Sequence, residues 1–134
     1  MIDVASLRAV APGLSERFGL KLVLLFGSQV GGRVHAQSDV DLGVMSDHPL
    51  RPKELAEIIF YLTQALKLPD IEVTDLKTLP PLMLKNIAEE SILLYEGELD
   101  LYDRFKIYGY KRHMEAGPLY RARARELKQF LAKT

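Results

Sequence analysis

The sequence predicts an α/β (α+β) domain: a small mixed sheet with helices on one face, followed by C-terminal helices. Three observations predict it. Strand-like runs alternate with helix-like runs along the chain. The run L-V-L-L-F at Leu22–Phe26 is apolar without alternation, as a central strand buried on both faces must be. The run Asp39–Met45 does alternate, with Val40, Leu42 and Val44 on one side and Asp39, Asp41 and Gly43 on the other.

The elements follow in order. Asp3 or Ser6 can cap a first helix with Leu7, Val10, Leu14 and Phe18 on its apolar side. Pro12 is expected to kink or restart it, and Gly19 to end it. Leu20–Phe26 is the first strand. Residues 29–37 are glycine-rich and irregular, opening with a short helix, and Asp39–Met45 is the second strand. Pro52–Leu66 is a helix with Leu55, Ile58, Ile59, Leu62 and Leu66 at helical spacing and proline in its first turn. Pro69–Leu76 is a third strand, residues 80–90 a helix, and Ser91–Tyr95 a fourth strand closed by Glu96 and Gly97. Two last helices, Glu98–His113 and Leu119–Lys133, are split at Gly117-Pro118.

Bulk composition bounds the function. A chain of 134 residues fits one domain with a small appendage. Its 48% hydrophobic and 27% charged residues are those of an ordinary globular domain. No apolar run approaches the length of a membrane span, and the N-terminus lacks a signal-peptide pattern. The absence of cysteine excludes disulfides and thiol chemistry and fits a cytoplasmic protein. Charge is unevenly spread. Residues 99–134 carry nine Lys/Arg against four Asp/Glu, a net of +5, and residues 1–98 carry the compensating −5. An acidic body with a basic tail suits cations in one part and an acidic partner at the other.

The chemistry concentrates in F-G-S-Q-V-G-G-R-V-H-A-Q-S-D-V-D-L-G-V, Phe26–Val44. A glycine after a buried strand permits a sharp turn and close approach of a ligand. A helix starting at Ser28 would aim free N–H groups and its positive end at an anion such as phosphate, and the hydroxyl adds a donor. Asp39 and Asp41 share a strand face, where like charges repel unless a cation lies between them. Mg²⁺ takes oxygen ligands and favours sites of one or two carboxylates plus substrate phosphate. In P-D-I-E-V-T-D-L, Glu72 shares a face with Asp70 and Thr74, and a neighbouring strand can set it beside the aspartates. Asp75 has the opposite parity and caps the strand end. Three carboxylates suit two Mg²⁺ ions, and one can take a proton from a nucleophile.

Gly27-Ser28, ten intervening residues and then Asp39-Val40-Asp41, preceded by an apolar strand and with Ser38 before the first aspartate, resembles the signature of the polymerase beta-like nucleotidyltransferases. The length is that of their minimal nucleotidyltransferase (MNT) domain. I-E-V-T-D-L, P-P-L-M-L-K-N-I-A-E-E-S-I-L-L-Y-E-G and the tail with Tyr102, Arg104, Tyr110 and Tyr120 are similar to the MntA-type antitoxins of HEPN/MNT toxin–antitoxin systems. The resemblance implies a nucleotidyltransferase domain over 1–98 and a helical extension over 99–134 packed on it. It implies Gly27 and Ser28 on the ATP phosphates, with Ser38 and Arg33 assisting. Asp39, Asp41 and Glu72 would be the catalytic metal ligands for two Mg²⁺ ions. The implied reaction transfers AMP from ATP to a tyrosine of a partner HEPN ribonuclease toxin and silences it. Glu72 stands where the family commonly has aspartate, and the loop after Ser28 reads Q-V-G-G, with its arginine delayed to position 33.

Other residues weigh less. His35 is an exposed loop residue, with a contact to a phosphate or the partner as the alternative; His113 sits at a helix end, and Tyr102, Tyr108 and Tyr110 serve packing and partner contacts, with self-modification of a tyrosine as an alternative. Arg121, Arg123, Arg125 and Lys128 wrap around a helix instead of forming a stripe, which favours an acidic protein partner over nucleic acid. Two other functions stay open: adenylylation of a small hydroxylated molecule, and an MNT-fold antitoxin that blocks its toxin by binding alone.

Overall fold

A computed structural model describes residues 3–27, 40–68 and 70–132. The expected short helix after Ser28, and His35, lie outside them. Helix α1, Val4–Phe18, starts where the Asp3 carboxylate accepts the Ala5 N–H at 3.1 Å, and stops at Gly19, whose φ is 66°. It runs through Pro12 as one element, so the proline does not restart it. Strand β1, Leu20–Phe26, and strand β2, Val40–Ser46, follow. Helix α2 is Pro52–Leu66, as expected, with Glu54 Oε1 accepting the Arg51 N–H at 3.1 Å. Strand β3 (Ile71–Asp75) leads through a 3₁₀ turn (Leu76–Thr78) to α3 (Pro81–Glu89), β4 (Ser91–Glu96) and α4 (Leu101–Ala132).

The four strands lie in the order β3-β2-β1-β4. β1 pairs antiparallel with β2 and β4, and β2 pairs parallel with β3, α2 forming the crossover that a parallel pair requires. The sheet is mixed, as expected. One correction concerns the helices, which cover both faces. Val23, Leu25, Val40, Leu42 and Val44 pack under α1 and α2 with Leu7, Leu14, Ile58 and Leu62. Leu22, Leu24 and Phe26 pack on the opposite face with Leu84 and Ile87 of α3 and Phe105 of α4. The unbroken apolar run of β1 therefore feeds two cores, each side of the strand supplying one.

Helix α4 is a second correction. It continues through Gly117-Pro118 as one helix, which puts His113 mid-helix. Pro118 withdraws one hydrogen bond from the Met114 carbonyl, but the stretch is exposed, so water can take that acceptor. Gly117 also has no Cβ to meet the proline ring. The first half packs on α3; residues 121–132 are exposed throughout. Gly109 sets the packing distance. A Cβ there would lie 2.9 Å from the Leu84 carbonyl oxygen and 3.3 Å from Ala88 Cβ. Gly109→Leu is expected to push α4 from α3 and lower stability by about 1–3 kcal/mol, read by urea unfolding.

The loop after β2 holds a titratable bridge. His48 Nδ1 lies 2.9 Å from Asp47 Oδ1, and Nε2 lies 3.1 Å from Glu54 Oε2. The hydrogen bond to Asp47, then that to Glu54, holds the imidazole above its ordinary 6.5. Asp47 is lowered chiefly by its bond to His48, and Glu54 chiefly by the Arg51 N–H. The histidine contribution to stability is therefore complete below about pH 6.5 and disappears as pH rises through the raised value. The carboxylate contributions fade as pH falls through their lowered values. His48→Gln is expected to be less stable than wild type near pH 5.5 and to converge with it near pH 8.5, in urea titrations at about those two pH values.

Candidate active site

The site is built where β1 ends. Gly27 has φ +82°, a left-handed turn that glycine adopts without strain. A Cβ at this position would run into Asp41 Oδ2 and lie 3.0 Å from its Cγ. The turn and the aspartate are thus in close contact. The pairing of the strands explains why. Asp41 is the register partner of Phe26 across the antiparallel ladder, so its side chain stands directly beside the end of β1.

The third element joins from the other side. Glu72 is the register partner of Asp41 in the parallel ladder, so both side chains leave the same face of adjacent strands. The Val40 N–H donates to the Asp70 carbonyl at 3.1 Å, which ties the start of β2 to β3 at that level. Asp41 is half-buried and Glu72 is exposed. On the same face the next position of β2 is Gly43, where the missing side chain admits Leu76; a Cβ would come within 2.6 Å of its Cδ2. Leu76 closes the core beneath the carboxylates and leaves their ends outside it.

Asp75 does what its parity predicts. Its carboxylate is buried and accepts the Leu50 N–H at 2.9 Å and the Lys77 N–H at 3.0 Å, so it caps the 3₁₀ turn and takes no part in the site. Asp70 is exposed. Of the residues expected in the site, the structure brings together Gly27, Asp41 and Glu72. Ser28, Arg33, Ser38 and Asp39 lie outside the described residues. Among the described residues no three His, Cys, Asp or Glu side chains form a metal-binding group. Asp41 and Glu72 supply only hard oxygen donors, the set that suits Mg²⁺ in company with phosphate.

Gly27 also borders a cleft of about 260 Å³ on the α3 side, lined by Phe26, Met83, Asn86, Ile87 and Glu90. This wall was missed in the sequence. Its signal in the sequence is the helical spacing of positions 83, 86, 87 and 90.

The nucleotidyltransferase domain of the polymerase beta family matches residues 10–99. The chain belongs to that family. Among solved structures, a toxin–antitoxin complex with AMP-PNP matches with a TM-score of 0.77 and 20% identity, over 90% of this chain and 98% of that one. An MNT antitoxin in complex with the tri-AMPylated HEPN toxin of Shewanella oneidensis matches with a TM-score of 0.73 and 17% identity, over 94% and 99%. An MntA–HepT complex matches with a TM-score of 0.71 and 18% identity, over 91% and 97%. At these identities the likeness establishes the fold. Comparison with curated proteins finds no match. Among the described residues no helix is long and apolar enough to cross a membrane.

The contact between Gly27 and Asp41 can be tested by a double-mutant cycle. Gly27→Ala is expected to cost about 1–2 kcal/mol from the left-handed backbone alone, and more from the clash. In an Asp41→Gly background the clash is gone, so the cost should fall by at least about 0.5 kcal/mol, measured by urea unfolding.

Proposed function

We propose that this protein is a Mg²⁺-dependent protein adenylyltransferase of the antitoxin type, moving AMP from ATP to a tyrosine of a partner HEPN toxin. The observation that supports it most is the alignment of Glu72, Asp41 and the Gly27 turn on neighbouring strands, in a nucleotidyltransferase chain whose fold is that of MNT antitoxins. Residues 1–98 supply the transfer site and residues 99–134 the helical extension. Asp41 and Glu72, with Asp39 two residues before Asp41, would hold two Mg²⁺ ions, which neutralise the polyphosphate and lower the barrier to displacement at phosphorus.

The chain's own groups set the geometry. The Gly27 turn has no side chain, so a phosphate can approach its backbone, with Ser28 as a further donor and Ser38 and Arg33 assisting. Glu72 stands on the edge strand and is more exposed than Asp41, which favours it as the group next to the incoming hydroxyl. Its carboxylate takes the tyrosine proton as the oxygen bonds to the α-phosphorus and the bond to pyrophosphate breaks. The longer arm of Glu72 suits a carboxylate carried on the edge strand. The acceptor comes with the partner. The exposed distal half of α4, basic and bearing Leu127, Phe130 and Leu131, offers it a surface.

The test is intact mass of the partner after incubation with ATP and Mg²⁺. Gains in AMP steps are expected with wild type. Asp41→Asn and Glu72→Gln should each lower the rate at least about 100-fold, and Glu72→Asp should keep part of it. A partner held in complex, silenced and unmodified would mean occupancy blocking instead.

A further inference from the structure

The cleft beside Gly27 has a composition unlike the rest of the site. Phe26, Met83 and Ile87 make it partly apolar, Asn86 gives one amide, and Glu90 one carboxylate. Among the described residues its lining has no cation. A triphosphate is disfavoured there, because Glu90 repels it and no described lining residue neutralises it. An uncharged ring with a few polar edges fits. The antiparallel register orders the groups. Phe26 pairs with Ser91, so Glu90 stands level with the Gly27 turn. Asn86 lies one helical turn back along α3, about 6 Å away, with Met83 nearly another turn beyond.

We propose that this cleft holds the nucleoside half of the transferred nucleotide, with Glu90 accepting from the ribose hydroxyls and Asn86 pairing with the adenine edge beside Met83. The inference rests on the nucleotidyltransferase reading above and extends it to the choice of base. The order matches the ligand: phosphates at Gly27, ribose next at Glu90, base farthest at Asn86. A carboxylate on ribose hydroxyls is the arrangement that dinucleotide-binding folds use. An asparagine amide offers a donor and an acceptor to adenine together, whereas the paired acceptors of guanine N7 and O6 call for Arg or Lys, and the described lining has neither. Methionine gives the ring a polarizable contact. The chemistry thus selects adenosine over guanosine and ribose over deoxyribose.

The experiment measures binding of ATP, GTP, 2′-deoxy-ATP and inorganic triphosphate to the full chain with Mg²⁺, by calorimetry, for wild type, Asn86→Ala and Glu90→Gln. Both side chains are exposed, so the variants should fold; circular dichroism checks this. Wild type is expected to prefer ATP over GTP and over 2′-deoxy-ATP. Asn86→Ala should weaken ATP about 10-fold and abolish the preference over GTP. Glu90→Gln should abolish the preference over 2′-deoxy-ATP. Neither should weaken inorganic triphosphate. ATP binding indifferent to both changes, with transfer to the partner impaired, would overturn the assignment and give the cleft to the acceptor. Weakened triphosphate binding would overturn it in favour of a phosphate site. Failure of wild type to bind ATP at all would overturn this inference and the transfer reading together.

Discussion

Strand β2 is held between two partners, and the site depends on that. Antiparallel pairing with β1 sets Asp41 against the last residue of the central strand. Parallel pairing with β3 sets Glu72 against Asp41. Because side chains alternate with a period of two, a slip of one residue in either ladder would turn a carboxylate into the core. The core resists such a slip. Val40, Leu42 and Val44 are each almost completely buried under α1 and α2, and a slip would expose all three. Apolar burial on one face therefore fixes the positions of charged groups on the other.

The same face shows how a small domain makes room for charge. Leu76 drops onto Gly43 and seals the core one step below Asp41. The 3₁₀ turn that delivers Leu76 is held by the buried Asp75 carboxylate, which also fixes the Leu50 backbone on the way into α2. A buried carboxylate satisfied by two backbone N–H groups is a structural device. An exposed or half-buried pair of carboxylates side by side, Asp41 and Glu72, is what the proposed transfer site would use. Asp75 and Glu72 lie three residues apart on one strand and differ because parity sends them to opposite faces.

Much of this was legible in the residues. The ends of α2, the parity of β2 and β3 and the capping role of Asp75 follow from spacing and alternation, whereas the adjacency of Asp41 and Glu72 comes from the pairing of β2 with β3. Where the sequence misled, a local rule met a tertiary or solvent effect. Pro118 usually ends a helix, but here the carbonyl it leaves unpaired lies in an exposed stretch and the residue before it is glycine. Pro12 likewise sits inside α1, whose Leu7, Ala11 and Leu14 are buried on both sides of it.

The sequence by itself determined the strand and helix periods, the face on which each carboxylate stands and the nucleotidyltransferase signature, because these depend on residue spacing and on backbone geometry at glycine. Only the tertiary structure decided that helices cover both faces of the sheet, that the Gly27 turn presses on the Asp41 carboxylate, and that a cleft opens between β1 and α3. Those are outcomes of packing between segments far apart in the chain. Periodicity states which face of a segment is apolar, but not which other segment will cover it.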